Sequence, residues 1–86
     1  MKGYGPLTER QAQVLQLMAW EYSIDDIAEA LGLSTWTIKN HIVRLNVALG
    51  TTGMNRAASV TTGLRLGIIT LDPPSRVAGV NDLEVA

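Results

Sequence analysis

The chain is predicted to be all-α, a four-helix domain with a short C-terminal tail, on three observations. Apolar residues between about residues 9 and 66 recur at helical spacing and not in strand-like alternation. Thr8, Ser23 and Ser34 each stand just before such a stretch, where a side-chain oxygen can cap the free N–H groups of a first turn. Gly32, Gly50 and Gly67 stand just after one, where a left-handed residue can close a helix.

Gly3, Gly5 and Pro6 make a lead-in without regular structure. The first helix is expected from Glu9 to about Trp20, capped by Thr8. Val14, Leu15, Met18 and Ala19 form its inner face, with Ala12 and Trp20 at the edges. Glu9 in the first turn suits the positive end of the helix dipole. Glu21 and Tyr22 turn the chain. Ser23 then caps a short second helix, Ile24 to Leu31, and with Asp26 resembles a capping box in which Asp replaces the preferred Glu. Ile24, Ile27, Ala28 and Leu31 point one way, Gly32 supplies a left-handed residue, and Leu33 plugs into the core.

Ser34 to Gly50, STWTIKNHIVRLNVALG, reads as one amphipathic helix with a cap at one end and a glycine stop at the other. Ile38, Ile42, Leu45 and Leu49, at i, i+4, i+7 and i+11, fall in a narrow sector at about 100° per residue. Trp36, Asn40, Val43 and Val47 lie opposite, flanked by Lys39 and Arg44, with no acid anywhere in the segment. Such a face suits a polyanion. Gly50, Thr51, Thr52 and Gly53 then break the chain. A fourth helix is expected from about Asn55 to Leu66, with Ala57, Ala58, Val60 and Leu64 inward. Gly67 ends it, Ile68, Ile69 and Leu71 tuck back, and Asp72, Pro73 and Pro74 close the domain. The domain is therefore placed at residues 6–71, with 72–86 as a flexible tail.

Length and composition narrow the function. Eighty-six residues make one small domain with a marginal core. With no cysteine and one histidine, neither disulfides nor a zinc site can be built, and no cofactor is called for. No charge-free apolar run reaches the roughly 18 residues of a membrane span, and MKGYGPLTER has no signal-like apolar segment. A cytoplasmic protein without membrane association is the expectation. The net charge of −1 is far from the usual basic footprint of nucleic-acid binding. Its distribution is uneven, however. Ser34 to Arg65 holds Lys39, Arg44, Arg56, Arg65 and His41 with no acid, whereas Glu21 to Ala30 holds Glu21, Asp25, Asp26 and Glu29 with no base. Local field matters more for steering than net charge.

A short helix, a glycine turn and a longer helix make a helix-turn-helix. Ala28 is small where the two helices cross, Gly32 turns the chain, and Ile38 anchors the second helix on the first. The second helix then presents its outer face to a major groove. The residues that carry this arrangement are Leu7-Thr8-Glu9-Arg10, Val14-Leu15, Ser23-Ile24-Asp25-Asp26-Ile27-Ala28, Leu31-Gly32-Leu33-Ser34, Thr37-Ile38-Lys39-Asn40-His41-Ile42, Leu49-Gly50, Asn55-Arg56-Ala57 and Gly67-Ile68-Ile69. Over about residues 6 to 70 they resemble the LuxR-type helix-turn-helix domain of bacterial response regulators and quorum-sensing regulators. The promoter-reading region of sigma factors is similar to residues 7 to 49, but His41 and a fourth helix after Gly50 favour the LuxR type.

The resemblance implies double-stranded DNA as partner, in a bacterial or phage transcription regulator. It implies that Lys39, Asn40 and Val43 face base edges. Their chemistry allows Lys39 to donate to guanine, Asn40 to pair with adenine, and Val43 to meet a thymine methyl. Thr35, Thr37 and Arg44 fall where phosphate contacts are expected. Trp36 beside them can stack on sugar or base, or cover the neighbouring turn. Asn55 and Arg56 would add backbone contacts at the start of the fourth helix. That helix is also implied as a homodimer interface through Val60, Leu64 and Arg65, although the same apolar face could instead be spent on the first helix. The acids from Glu21 to Glu29 are either a solvated face or a surface for RNA polymerase or another protein partner. His41 is expected to be structural or close to phosphate.

Three departures from the family pattern stand out. Gln11 replaces a frequent Glu, Ala48 replaces a frequent Lys, and five residues separate Gly50 from Arg56, two more than usual. Regulation is expected through abundance, dimerisation or a partner, since no receiver or ligand-binding domain is recognised in the 86 residues. A catalytic role is not expected, because no nucleophile with a base, paired carboxylates or phosphate-binding glycine loop is evident. The two alternative readings are a DNA-packaging or recombination accessory factor, and a protein-interaction module that keeps the shape without DNA affinity.

Overall fold

The computed structural model describes residues 4–72. They form four helices, α1 (Glu9–Ala19), α2 (Ile24–Leu31), α3 (Thr35–Leu49) and α4 (Arg56–Arg65). Each begins on a side-chain cap. Thr8, Ser23, Ser34 and Asn55 have extended backbone, and each accepts the N–H three residues on. At α1 the cap is reciprocal. Gln11 Oε1 accepts from the Thr8 N–H at 3.1 Å while Thr8 Oγ1 accepts from the Gln11 N–H. The residue that departs from the family pattern thus completes a capping box. At α2 only half of the expected box forms: Ser23 Oγ accepts from the Asp26 N–H at 3.1 Å. Asp is one methylene shorter than the Glu that normally reaches back.

The four helices also end alike. A left-handed residue, Glu21 (φ 68°), Gly32 (φ 69°), Gly50 (φ 74°) or Gly67 (φ 75°), follows each helix. The next residue's N–H then donates to the carbonyl five residues back: Tyr22 to Leu17, Leu33 to Ala28, Thr51 to Asn46 and Ile68 to Gly63. This is the Schellman closure, which satisfies carbonyls the helix leaves free.

α3 is the central element, packed against α1, α2 and α4, and α1 also packs on α4. Val14 and Leu15 of α1, Ile27 of α2, and Ile38 and Leu45 of α3 are fully buried, with Leu7, Met18, Ala28 and Ile69 closing around them. Ile42, Leu49, Ile24, Leu31 and Leu33 are half-buried against this cluster, as their spacing predicts.

Two residues differ from the sequence reading. Ala57 is exposed, not inward, because α4 turns Ser59 and Gly63 to the interior, with Val60 and Leu64 half-buried beside them. A methyl group on Gly63 would come within 2.7 Å of Leu15 Cδ2 and 3.1 Å of Ile69, so α1 and α4 meet at the one residue without a side chain. Leu71 is 60% exposed and does not tuck back. The chain after Ile69 is held instead by polar bonds to α1. Gln16 bonds both the carbonyl and the N–H of Thr70, at 2.7 and 3.0 Å, and the Trp20 indole N–H donates to the Asp72 carbonyl at 2.8 Å. Trp20 is accordingly a half-buried clasp at the core's edge. The tail expected after Asp72 lies outside the described residues, as do Gly3 and the residues before it. Among the described residues, no helix is long and apolar enough to cross a membrane.

Candidate nucleic-acid interface

The α2–α3 junction sets the candidate site. Gly32 and Leu33 separate α2 from the Ser34 cap of α3, and Leu33 packs half-buried against the core behind the turn. Ile38 and Leu45 then fix α3 on α1 and α2, which dictates the face left outside. That face carries Trp36, Lys39, Val43, Arg44 and Val47, all exposed, with Asn40 half-buried among them. It is a convex ridge; no cavity opens among the described residues.

Of the three expected base readers, Lys39 and Val43 are free in the structure. Asn40 is folded back, its Nδ2 donating to the Trp36 carbonyl at 3.0 Å. Bidentate pairing with adenine uses Oδ1 and one N–H of the amide; the bond to Trp36 occupies one of the two N–H donors and leaves the other N–H and Oδ1 unspent. Thr35 opens α3 and is exposed. Thr37 is half-buried, with its hydroxyl 3.0 Å from that of Ser34, which also accepts the Thr37 N–H. Thr37 therefore first serves the helix start. Trp36 is 73% exposed, so the indole is open to solvent and does not bury itself over the turn. His41 is half-buried on the helix flank.

The fourth-helix residues are more committed than their sequence suggests. Asn55 Oδ1 caps α4 by accepting the Ala58 N–H at 3.0 Å. Arg56 Nη1 donates to the Tyr22 carbonyl at 2.9 Å, tying the start of α4 to the turn between α1 and α2. Its remaining guanidinium donors are not used by this bond. Val60 and Leu64 are half-buried against the core and Arg65 is exposed, so the apolar flank of α4 is shared between the core and the surface.

Sequence reasoning missed the polar cluster that joins α3 to α4. Thr51 and Ser59 are both buried. Thr51 Oγ1 donates to Asn46 Oδ1 at 2.9 Å and lies 3.1 Å from Ser59 Oγ, and the Ser59 hydroxyl also donates to Asn46 Oδ1. This cluster seats the longer α3–α4 turn. The sequence signal was Ser59, a polar residue one turn before Gly63 on the side of α4 that turns inward.

The chain matches a family model described as bacterial regulatory proteins of the LuxR family, over residues 5–61. It is 36% identical over 64 residues to an uncharacterised transcriptional regulatory protein of Bacillus subtilis (strain 168), YxjL, matching 74% of this chain but only 28% of that protein's length. The structure superimposes on that of the transcription factor GerE with a TM-score of 0.72 and 37% identity, covering 79% of this chain and 98% of that one. Family match, fold and identity agree: the chain belongs to the LuxR family of bacterial regulatory proteins, which are DNA-binding transcription regulators and not enzymes.

Proposed function

We propose that this domain binds double-stranded DNA sequence-specifically in the service of transcription, with α3 lying in the major groove. The observation that carries the reading is the outer face of α3. It is fully presented by the packing of its inner face, bordered by Lys39 and Arg44, and acid-free from Ser34 to Arg65. Lys39 and Asn40 read base edges, joined by Val43. Arg44, Thr35, Thr37, Trp36, Asn55 and the free donors of Arg56 contact the sugar–phosphate backbone, positioning the domain without reading sequence. A second copy docks through the surface part of α4, around Val60, Leu64 and Arg65, and the acidic face of α2 is left free for a protein partner such as RNA polymerase. The cytoplasm is the compartment this reading requires.

In-vitro selection from random duplexes tests the reading, followed by mobility-shift titration of the selected site. Lys39→Ala and Asn40→Ala should each weaken the selected site by roughly 1–3 kcal/mol while leaving random duplexes little changed. Arg44→Ala should weaken all sequences alike. Four or five phosphate contacts would give a log–log salt slope of about −4, doubled for a dimer. Selected-site binding that is indifferent to Lys39→Ala and Asn40→Ala would remove α3 from the groove. No salt-sensitive DNA binding at all would leave the protein-interaction module as the better reading.

A further inference from the structure

α3 is apolar on two sides. Its inner side is committed to the core. Its outer side carries Val43 and Val47, 59% and 65% exposed, in line with Trp36 and interrupted only by Asn40. Isolated exposed apolar residues are ordinary. A surface helix, however, normally turns polar residues away from its core, and valine is a poor helix former. Neither valine belongs to the core cluster or packs against it, so the fold gives no reason for them. The flanks indicate what covers them. A second copy packed α3 against α3 would set two faces bordered by Lys39 and Arg44, with no acid in either segment, against each other. The major groove supplies opposite charge at its edges and an apolar target on its floor, the C5 methyl of thymine. Four residues of helix span about 6 Å, close to two base steps at about 3.4 Å each.

We infer that Val43 and Val47 form a methyl-reading strip that selects pyrimidines carrying a C5 methyl, about two base steps apart, in the groove that α3 enters. The inference rests on the proposed groove binding and adds the chemistry it recognises. Thymine and 5-methylcytosine share that methyl group.

The test uses the 86-residue chain and its selected duplex. Selected thymines are replaced one at a time by deoxyuridine, which removes only the methyl. Affinity should fall about fourfold for each methyl read, the equivalent of about 0.8 kcal/mol. Val43→Ala should abolish the thymine–uracil difference at one position and Val47→Ala at the other. Lys39→Ala should weaken binding but keep both ratios. Both valines are exposed, so the alanine variants should retain the helical circular dichroism of the parent. In a second arm, 5-methylcytosine·G replaces thymine·A at the two positions, against unmethylated cytosine·G. Tighter binding of the methylated member supports methyl reading, and binding tighter than to thymine makes methylated DNA the favoured target. Unchanged affinity on every uracil substitution overturns the inference while leaving groove binding intact. Absence of any DNA binding, or a dimer that Val47→Ala dissociates, overturns it together with the proposed placement of α3.

Discussion

The two turns that flank α3 look alike and are built differently. Before α3, Gly32 takes the left-handed conformation, Leu33 packs half-buried against the core, and Ser34 caps the next helix. Backbone closure and one apolar plug suffice. After α3, Gly50 makes the same left-handed closure, but five residues then pass before Arg56. That length is anchored by the buried hydroxyls of Thr51 and Ser59 on the side-chain amide of Asn46. The first turn orients α3 by steric punctuation. The second holds α4 in place by hydrogen bonds that must all be satisfied, since a buried polar group left alone is costly.

The sharpest way to break the comparison is to remove the amide. Asn46→Ala takes away the acceptor shared by both hydroxyls, and should destabilise the domain by about 2–3 kcal/mol in denaturant titration. Combined with Ser59→Ala it should show a coupling of about 1 kcal/mol or more, because the two side chains act in one network. A neutral Asn46→Ala would mean that the longer turn stands on its glycine closure alone, as the first one does.

A smaller effect sharpens the comparison from the other side. A Cβ on Gly32 or Gly50 would meet nothing within 4 Å, so Gly32→Ala and Gly50→Ala are limited to the strain of a left-handed alanine. Each should destabilise by about 1 kcal/mol, equally at both turns. Unequal values would show that the polar cluster and the Gly50 closure are coupled.

The same contrast explains what could be read from the chain. Helix starts, glycine stops and the inner stripe of α3 follow from local rules, and Thr8, Gly32 and Ile38 carry their roles in their own chemistry. The face of α4 does not. Its apolar residues suggest Ala57 and Val60, yet the closest approach to α1 selects Gly63, because Leu15 and Ile69 leave no room there for a methyl group. Leu71 looks like a core residue until Gln16 and Trp20 are seen holding its neighbours by polar bonds. At the candidate interface the exposed ridge is legible from helical phase. The commitments of Asn40 to the Trp36 carbonyl and of Arg56 to the Tyr22 carbonyl are not, since each depends on where a backbone carbonyl ends up.

The end of α1 offers the smallest and most diagnostic change. All four helices close through one left-handed residue, and only here is it not glycine. Glu21 has the same positive φ as its three glycine counterparts, and the same bond follows, from the Tyr22 N–H to the Leu17 carbonyl at 3.0 Å. A side chain in that conformation costs about 1–2 kcal/mol. Glycine removes this strain but gives back part of the gain through a more flexible unfolded chain. Glu21→Gly should therefore stabilise the domain by about 0.5–1 kcal/mol, a rise in Tm of about 3–6 °C for a chain of this size. The exposed carboxylate makes no hydrogen bond among the described residues that would offset the gain. The sign decides the matter. A loss of stability on Glu21→Gly would show that the acidic side chain itself supports the turn, and that the Schellman closure is not the sole determinant of where α1 stops.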